Sequence, residues 1–367
     1  MINPSAVLVT GGAGFIGSHF VRRALARGRF VVVLDKLTYA GHESTLDEVR
    51  ADPRLRFVRG DIADAELVLS LLEQHEVKGV VNFAAETHVD RSIDAPRAFV
   101  QTNIVATASL LDAVREHLRR TRAGRERFRF VHVSTDEVYG SLAEDEPPFT
   151  ERSTITPSSP YSASKASADH LVSAYVKTFG LPAIITRCSN NYGPYQHPEK
   201  LVPQLVVRAL AGVPLGVYGD GLHVRDWIHV DDHCEALERV FEHGAPGAVY
   251  NIGAGCERTN LAVLEAVCAA LELVAPARDN DRLRALGVAE YRALRTFVED
   301  RPGHDRRYAI DASKLRDELG WSPTRTFERA IEQTVRWFVE NPWWSEAALG
   351  AGRLPERLGL GAAEGSQ

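Results

Sequence analysis

A phenol and an ammonium group lie four residues apart in the segment YSASK, as Tyr161 and Lys165. Residues at this spacing share one face of a helix. A phenol titrates near ~10 in isolation, and a nearby ammonium group lowers its pKa by stabilising the phenolate. The pair therefore predicts a base that removes a hydroxyl proton near neutral pH. Because Tyr and Lys often occur at this spacing by chance, the prediction depends on what the rest of the chain brings to the same place.

Two adjacent acids follow the apolar segment FRFVHVS, which is typical of a buried strand and ends at Ser134. Thr135 comes next, and Asp136 and Glu137 follow it. An arbitrary Asp-Glu pair is best interpreted as loop acids that face water. Two carboxyl groups in different protonation states, however, are suited to donate one proton and remove another. Because adjacent side chains of a strand face opposite ways, both acids reach one substrate only if a turn begins at Asp136.

Gly12, Gly14 and Gly17 follow the apolar segment AVLVT and precede a helical pattern. This spacing permits a tight turn and a close approach of backbone amides to a pyrophosphate, although a merely tight turn is the alternative. The second strand ends at Asp35, a little under the roughly 20 residues expected for the acid that binds an adenosine ribose. A carboxylate there repels a 2′-phosphate, so NAD is favoured over NADP, and the adjacent Lys36 weakens that preference.

Strand-like and helix-like segments alternate in the first half of the chain, with strands predicted at 6–10, 30–35, 56–58, 79–85, 128–134 and 183–189. The strands are continuous apolar runs, as in a parallel sheet that helices cover on both faces. The sequence therefore predicts an α/β fold with a Rossmann-type, doubly wound parallel sheet. Asp61, at the end of the third strand, is either an adenine contact or an ordinary turn residue.

A smaller, discontinuous C-terminal substrate-binding domain is expected, because loops rich in Pro, Gly and Tyr follow residue 189. The NAD-binding domain is assigned to residues 1–189, with returning segments near 226–253 and 305–313. The nucleotide-sugar-binding domain is assigned to 190–225, 254–304 and 314–345, and a disordered tail to 355–367. Residues 247–253 predict a strand that rejoins the main sheet. Residues 276–297 are charged and predicted to be helical, without an assigned role.

The composition excludes several classes of partner. The net charge of -6 argues against nucleic acid and anionic membranes, and the basic segment 115–129 is interpreted as a solvated helix end. The four cysteines have no zinc-ligand spacing, so no metal is expected and a reducing compartment is favoured. No segment approaches the roughly 18 apolar residues of a membrane span. A cytoplasmic location is therefore expected.

Taken together, these motifs resemble the extended short-chain dehydrogenase/reductase family. Within it, the chain from about residue 6 to 340 is similar to the dTDP-glucose 4,6-dehydratases. The segments that carry this narrower resemblance are VTGGAGFIGSHF, LDKLTYAG, AAETHVDRSI, STDEVYG, YSASKASADHLV, NNYGPYQHPEKLVP, VYGDGLHVRDWIHVDDH and DRPGHDRRYAID. Several of them are not shared with the sugar epimerases of the same superfamily, so the resemblance is specific.

The resemblance implies a lyase with an internal redox cycle. Tyr161, supported by Lys165 and the positive nicotinamide, takes the O4 proton of a hexose, Thr135 hydrogen-bonds O4, and hydride passes from C4 to NAD. The C4 ketone makes the C5 proton acidic. The resemblance assigns Glu137 as the base that removes this proton and Asp136 as the acid that protonates the leaving C6 hydroxyl. Asp136 must then be protonated, which requires burial or a like-charged neighbour.

The resemblance also extends the set of binding residues. The implied cofactor contacts are Gly11, Gly12, Gly14, Phe15, Ile16, Gly17, Asp35, Lys36, Leu37, Thr38, Asp61, Ile62, Ala84, Ala85, Thr102, Tyr161, Lys165 and Asn191. The implied substrate contacts are Thr87, His88, Thr135, Asn190, Glu199, Lys200, Leu201, Tyr218, Arg225, Asn260, Arg301, His304 and Tyr308. Arg225 is the best pyrophosphate ligand among them, because a guanidinium binds phosphate oxygens bidentately. Its alternative is a surface ion pair, and His88, His304 and Tyr308 could also be satisfied core residues.

Some alternatives remain open. Gly216 stands where the family usually has Pro, and Thr87 where Ser is common, so dTDP is favoured as the nucleotide and UDP is the fallback. A 4-epimerase or a decarboxylase on the same scaffold would need Tyr, Lys and Thr but not the acid pair. A non-catalytic NAD-binding protein would need none of them. The resemblance implies a homodimer packed through helices near 101–118 and 162–178, whose apolar faces equally fit core burial.

Overall fold

The computed structural model describes residues 6–121 and 127–355. Its strands, in chain order, are β1 Val7–Thr10, β2 Val31–Asp35, β3 Leu55–Arg59, β4 Gly79–Asn82, β5 Arg129–Thr135, β6 Ala183–Cys188, β7 Asn190–Tyr192, β8 Leu215–Tyr218, β9 Val224–His229, β10 Val249–Ile252, β11 Glu257–Thr259 and β12 Arg295–Val298. Seven of them form one parallel sheet in the order β10-β6-β5-β4-β1-β2-β3. The strand order reverses between β1 and β4, as in a doubly wound Rossmann sheet.

Helices flank this sheet and build the C-terminal part. The α-helices are α1 Phe15–Ala26, α2 Ala65–Gln74, α3 Val89–Asp94, α4 Pro96–Phe99, α5 Ala106–Thr121, α6 Pro160–Phe179, α7 Leu201–Leu210, α8 Val230–His243, α9 Asn260–Val274, α10 Asp281–Ala285, α11 Ser313–Leu319, α12 Phe327–Glu340 and α13 Pro342–Leu349. Short 3₁₀ helices occur at Glu43–Val49, Asp136–Tyr139, Ala277–Asp279 and Tyr291–Leu294, and a π-helix at Val100–Val105.

The central strands are buried on both faces, as their apolar composition predicts. In β1, Val7 and Val9 belong to an apolar cluster with α1 and α8, whereas Leu8 belongs to a second cluster with α2 and α5. A third cluster lies among α7, α9 and α12, away from the seven-stranded sheet. This separate core supports the proposed division into a dinucleotide-binding domain and a smaller domain.

The predicted strands are confirmed, with bounds that differ by a few residues. The segment predicted at 79–85 ends as a strand at Asn82, and the segment at 247–253 rejoins the sheet as β10, beside β6. The all-helical prediction for 276–297 was wrong at its end, where β12 pairs in parallel with β8. Thr296, Phe297 and Val298 favour strands, and β8 offers them a backbone edge.

Parts of two predictions lie outside the described residues. The basic segment is described only to the end of α5 and again from Arg127, and the expected tail only at Pro355. Within the described ranges, no helix has both the length and the apolar character needed to cross a membrane. All four cysteines are free thiols, and three of them are buried.

Packing of α5 on the sheet can be tested with one substitution. Leu110 is fully buried in α5, so Leu110→Ala should lower the free energy of unfolding by about 2–5 kcal/mol. Leu273 is 72% exposed, and Leu273→Ala serves as the matched control, with a change within about 0.5 kcal/mol. Urea unfolding followed by circular dichroism measures both. Equal destabilisation by the two variants would contradict the described packing.

Candidate active site

Two adjoining cavities, of about 300 and 200 Å³, open at the carboxyl end of the parallel sheet. Ligands of doubly wound sheets bind in this crevice, where the strand order reverses. The first cavity extends from the glycine loop after β1 to the start of α6, and the second is lined largely by the C-terminal part of the chain. The residues that line both are Glu137, Tyr161, Asn190, Glu199 and Lys200. Of the predicted catalytic residues, Glu137 and Tyr161 therefore lie where the cavities meet, and Thr135, Asp136 and Lys165 line the first cavity.

The glycine loop between β1 and α1 allows no larger side chains at two positions. Gly11 has a φ of 66°, and a Cβ there would lie 2.7 Å from the backbone nitrogen of Ala84. A Cβ on Gly17 would lie 2.2 Å from the Gly11 carbonyl oxygen. The first turn of α1 lines the first cavity, and its cap residue, Gly14, makes no side-chain cap hydrogen bond. The loop and helix end thus leave backbone facing the cavity, where the motif predicts a phosphate.

The predicted cofactor residues line this cavity, apart from Gly12 and Leu37. A Cβ on Gly12 would lie 2.8 Å from the Val33 side chain, so this glycine serves the packing of the loop on β2. Leu37 has a φ of 58° and follows the end of β2 at a tight bend. The structure gives a packing reason for Gly12 and a backbone reason for Leu37, and a cofactor contact at either position stays a prediction.

Asp35 stabilises the glycine loop and also lies where a ribose is expected to bind. Its two carboxylate oxygens accept hydrogen bonds from the Ala13 and Leu37 amides at 2.9 and 2.8 Å. A carboxylate has further lone pairs, so both oxygens can still accept from a ribose hydroxyl. The Lys36 ammonium lies 2.7 Å from the Asp61 carboxylate. This ion pair offsets the positive charge that weakened the preference for NAD.

Helix α6 positions the Tyr161 and Lys165 side chains. The sequence begins the helix with a capping box, in which Ser159 and Ser162 bond each other's backbone amides, and with Pro160 in the first turn. The spacing of four residues then directs both side chains toward the end of β5, as predicted. The Lys165 ammonium is buried and donates to the Val133 carbonyl oxygen at 2.8 Å.

The residues of this chain do not lower the pKa of the Tyr161 phenol by themselves, which agrees with the expectation that the positive nicotinamide contributes. Burial and the negative charge of Glu137 raise that pKa well above its ordinary value, and the Thr135 hydroxyl opposes them weakly. Burial also lowers the pKa of Lys165 to about 8. The desolvation of the phenol outweighs any effect of this ammonium on it. A phenolate at this position therefore needs the positive nicotinamide as well.

The acid pair lies in the predicted turn. Strand β5 ends at Thr135, and Asp136–Tyr139 forms a single 3₁₀ turn that takes both acids out of strand alternation. Asp136 is 2% exposed and Glu137 is partly buried, so the alternative of two acids facing open water is wrong. Both acids line the first cavity, and Glu137 also lines the second.

The two acids differ in their electrostatic surroundings. Burial raises the pKa of Asp136 well above its ordinary value, and the negative charge of Glu137 raises it further. Burial also raises the pKa of Glu137, but the positive charges of Arg301, Arg225 and Lys200 oppose that shift. These directions favour a proton on Asp136 over one on Glu137.

The second cavity is lined by cationic side chains whose own bonds limit their freedom. Arg225 is buried and donates to the Val224 and Asp305 carbonyl oxygens at 2.7 and 2.9 Å, with its guanidinium over the Tyr308 ring. The alternative of a surface ion pair is thus wrong. Arg301 forms an ion pair of 2.7 Å with Asp90. Each guanidinium has five N–H donors, which leaves some of them for a phosphate.

The predicted substrate residues all line one of the cavities. Thr87 and Thr135 line the first, and the second is lined by His88, Asn190, Glu199, Lys200, Leu201, Tyr218, Arg225, Asn260, Arg301, His304 and Tyr308. His304 stacks on His223 with ring centroids 3.6 Å apart, and both rings bond Asp300. The parallel rings direct their nitrogens side by side at the Asp300 carboxylate. Asp300 therefore contacts both stacked rings. The positive guanidinium groups nearby disfavour a bound metal cation.

Sequence reasoning missed several residues of the site. Asp90 pairs with Arg301, but an acid in a short helix is so ordinary that its type gave no signal. Asn103 lies in the π-helix, accepts from the Glu86 amide at 2.8 Å, and donates to the Glu86 carbonyl and to Ser164. Asn103 thereby ties the floor of the first cavity to α6. A polar residue within a helical pattern does not predict such a contact.

Comparisons with known proteins agree with this geometry. Residues 8–334 match the GDP-mannose 4,6 dehydratase family. The chain is 54% identical to dTDP-glucose 4,6-dehydratase from Xanthomonas campestris, over 96% of this chain and 98% of that protein. It is similar to the crystal structure of dTDP-glucose 4,6-dehydratase from Streptomyces venezuelae, with NAD bound, at a TM-score of 0.82, 46% identity, and coverage of 94% and 99%. It is also similar to the crystal structure of dTDP-glucose 4,6-dehydratase from Bacillus anthracis in complex with NAD. There the TM-score is 0.80 and the identity 42%, with coverage of 94% of this chain and 99% of that chain.

The glycine loop gives a direct test of the first cavity. Gly17→Ala places a methyl group 2.2 Å from the Gly11 carbonyl oxygen, so the loop must shift and NAD binding should weaken at least about tenfold. Gly216→Ala is the matched control, because its nearest neighbour would be 3.6 Å away. Isothermal titration with NAD measures both variants. Unchanged affinity in Gly17→Ala would contradict the assignment of this loop to the pyrophosphate.

Proposed function

The chain belongs to the GDP-mannose 4,6 dehydratase family, and from this premise we propose that it converts dTDP-glucose to dTDP-4-keto-6-deoxyglucose and water. The observation that carries this proposal is the acid pair, Asp136 and Glu137, held at unequal pKa beside Tyr161 and Lys165. NAD fits the cavity, because the glycine loop exposes backbone amides and Asp35 ends the second strand. When bound, NAD+ would accept hydride from C4 and later give it back to C6.

In the oxidation step, the proposed base is Tyr161, which removes the O4 proton as hydride leaves C4. The Thr135 hydroxyl hydrogen-bonds O4 and fixes its position. Lys165 lies on the same helix face, and its ammonium, together with the positive nicotinamide, stabilises the phenolate. The ketone that forms at C4 makes the C5 proton acidic.

In the elimination step, Glu137 removes the C5 proton and Asp136 protonates the C6 hydroxyl, which leaves as water. The positive charges of Lys200, Arg225 and Arg301 favour ionised Glu137, while burial keeps Asp136 protonated. With the cofactor bound, hydride would be restored to C6 as the C5 proton returns. These charges support opposite roles for two neighbouring carboxyl groups.

The second cavity is proposed to bind the nucleoside diphosphate. Arg225 and Arg301 converge there with Lys200, and guanidinium groups bind phosphate oxygens with good geometry. The names of the relatives support dTDP as the nucleotide. Gly216, which departs from the family pattern, lies on β8 opposite Thr296 of β12. The acid pair favours a dehydratase over a 4-epimerase or a decarboxylase, because neither of those two reactions needs it.

We also propose a homodimer and a cytoplasmic location. Val100 and Val105 are 49% and 44% exposed beside α5, which supports an intersubunit surface near the helices at 101–118 and 162–178. Four free thiols and a nucleotide-sugar substrate support a reducing cytoplasm.

The proposal is tested with dTDP-glucose that carries deuterium at C4. The expected product is dTDP-4-keto-6-deoxyglucose with deuterium at C6, because the hydride removed from C4 returns within the same site. Nuclear magnetic resonance of the product locates the label, and UDP-glucose run in parallel measures the nucleotide preference. An unchanged C6 hydroxyl, or label lost to solvent, would sink the proposed mechanism.

The role of Glu137 is tested by Glu137→Gln. The amide cannot accept the C5 proton, so elimination should slow by about 10²–10⁴-fold while C4 oxidation still forms bound NADH. Stopped-flow absorbance of NADH and product analysis measure the two steps separately. Glu144→Gln, at a side chain that is 84% exposed, is the matched control. Normal elimination by Glu137→Gln would rule this residue out as the base.

A further inference from the structure

The turn that carries the two acids is held weakly by its own hydrogen bonds. The Gly140 amide donates to the Glu137 carbonyl at 3.3 Å, and the Glu137 amide donates to the Thr135 hydroxyl at 3.3 Å. Both distances exceed the usual range for N–H···O bonds. Positions of the acid side chains therefore depend on contacts from outside the turn.

Tyr139, the last residue of the turn, makes short contacts with distant elements. Its hydroxyl donates to the Asn251 side-chain oxygen on β10 at 2.8 Å and accepts from the Arg187 guanidinium on β6 at 2.9 Å. Its ring stacks on Phe149 with centroids 5.0 Å apart and is 1% exposed. Burial raises the pKa of this phenol to about 12, so it stays protonated and can donate.

The same contacts continue to the helix that carries Tyr161. Arg187 donates to the Asp169 carboxylate on α6 at 2.9 Å, and both groups are at least nine-tenths buried. Asp169 lies four residues after Lys165, on the same helix face. A continuous chain of buried hydrogen bonds thus joins the helix of the proposed oxidation base to the turn of the proposed elimination acids.

We propose that Tyr139 is a positioning residue for the elimination step, which fixes Asp136 and Glu137 relative to a hexose held at Tyr161. This inference rests on the proposed function. Thr135 lies on a regular strand and Tyr161 on a regular helix. The backbone hydrogen bonds of these elements hold both residues without Tyr139. Loss of the Tyr139 hydroxyl should therefore affect the acids of the turn and spare the oxidation step.

The test is Tyr139→Phe, which keeps the stacked ring and removes only the hydroxyl. Tyr250→Phe is the matched control: Tyr250 is also 1% exposed, and its hydroxyl bonds Glu318, away from the turn. With dTDP-glucose in single-turnover stopped flow, Tyr139→Phe should form NADH within about twofold of the native rate. Elimination should slow by about ten- to a hundredfold, so that bound NADH accumulates. Tyr250→Phe should match the native protein in both steps.

Equal slowing of both steps in Tyr139→Phe, or no slowing of elimination, would overturn the inference. Thr156→Val gives a second variant, because the exposed Thr156 anchors the turn through the Tyr139 carbonyl oxygen at 2.6 Å. Thr156→Val should show the same accumulation of NADH. If Tyr139→Phe does not fold, Thr156→Val alone tests the inference. Native protein that forms no NADH with dTDP-glucose would refute the proposed function, and this inference with it.

Discussion

The removal of Asp136 from water, at the end of β5, is the constraint on which the rest of the site depends. A carboxyl group that is 2% exposed and next to another acid favours its neutral form. Glu137 lies one residue further along the same turn but faces the positive charges of the second cavity. One buried turn therefore gives two carboxyl groups unequal proton affinities, which a coupled proton removal and donation requires.

Charge compensation extends through both cavities. Lys36 pairs with Asp61, Arg91 with Glu199, and Arg301 with Asp90. Lys165 bonds a backbone carbonyl in place of an acid. Because buried charges are costly unless paired or hydrogen-bonded, these contacts make a pocket rich in ionisable groups compatible with a folded chain. Burial and the negative charge of Glu137 raise the pKa of the Tyr161 phenol, so its neighbours alone do not activate it.

Much of the site could be read from the sequence, because its signals are local. Continuous apolar runs predicted the parallel strands, glycine spacing predicted the loop after β1, and the strand period required a turn at Asp136. What was missed depends on residues distant in sequence. Asp90 meets Arg301 across 211 positions, and Arg225 turns to carbonyls of a segment 80 residues away. Strand β12 forms because β8 lies beside it. The charged residues around β12 in the sequence do not predict this pairing.

The central claim is that Asp136 is protonated while Glu137 is ionised in the same site at neutral pH. A neutron structure of the NAD complex, grown in heavy water, would locate the acidic deuterons directly. The account predicts a deuteron on the Asp136 carboxyl group and none on Glu137. An ionised Asp136, or a deuteron on Glu137 in its place, would contradict it.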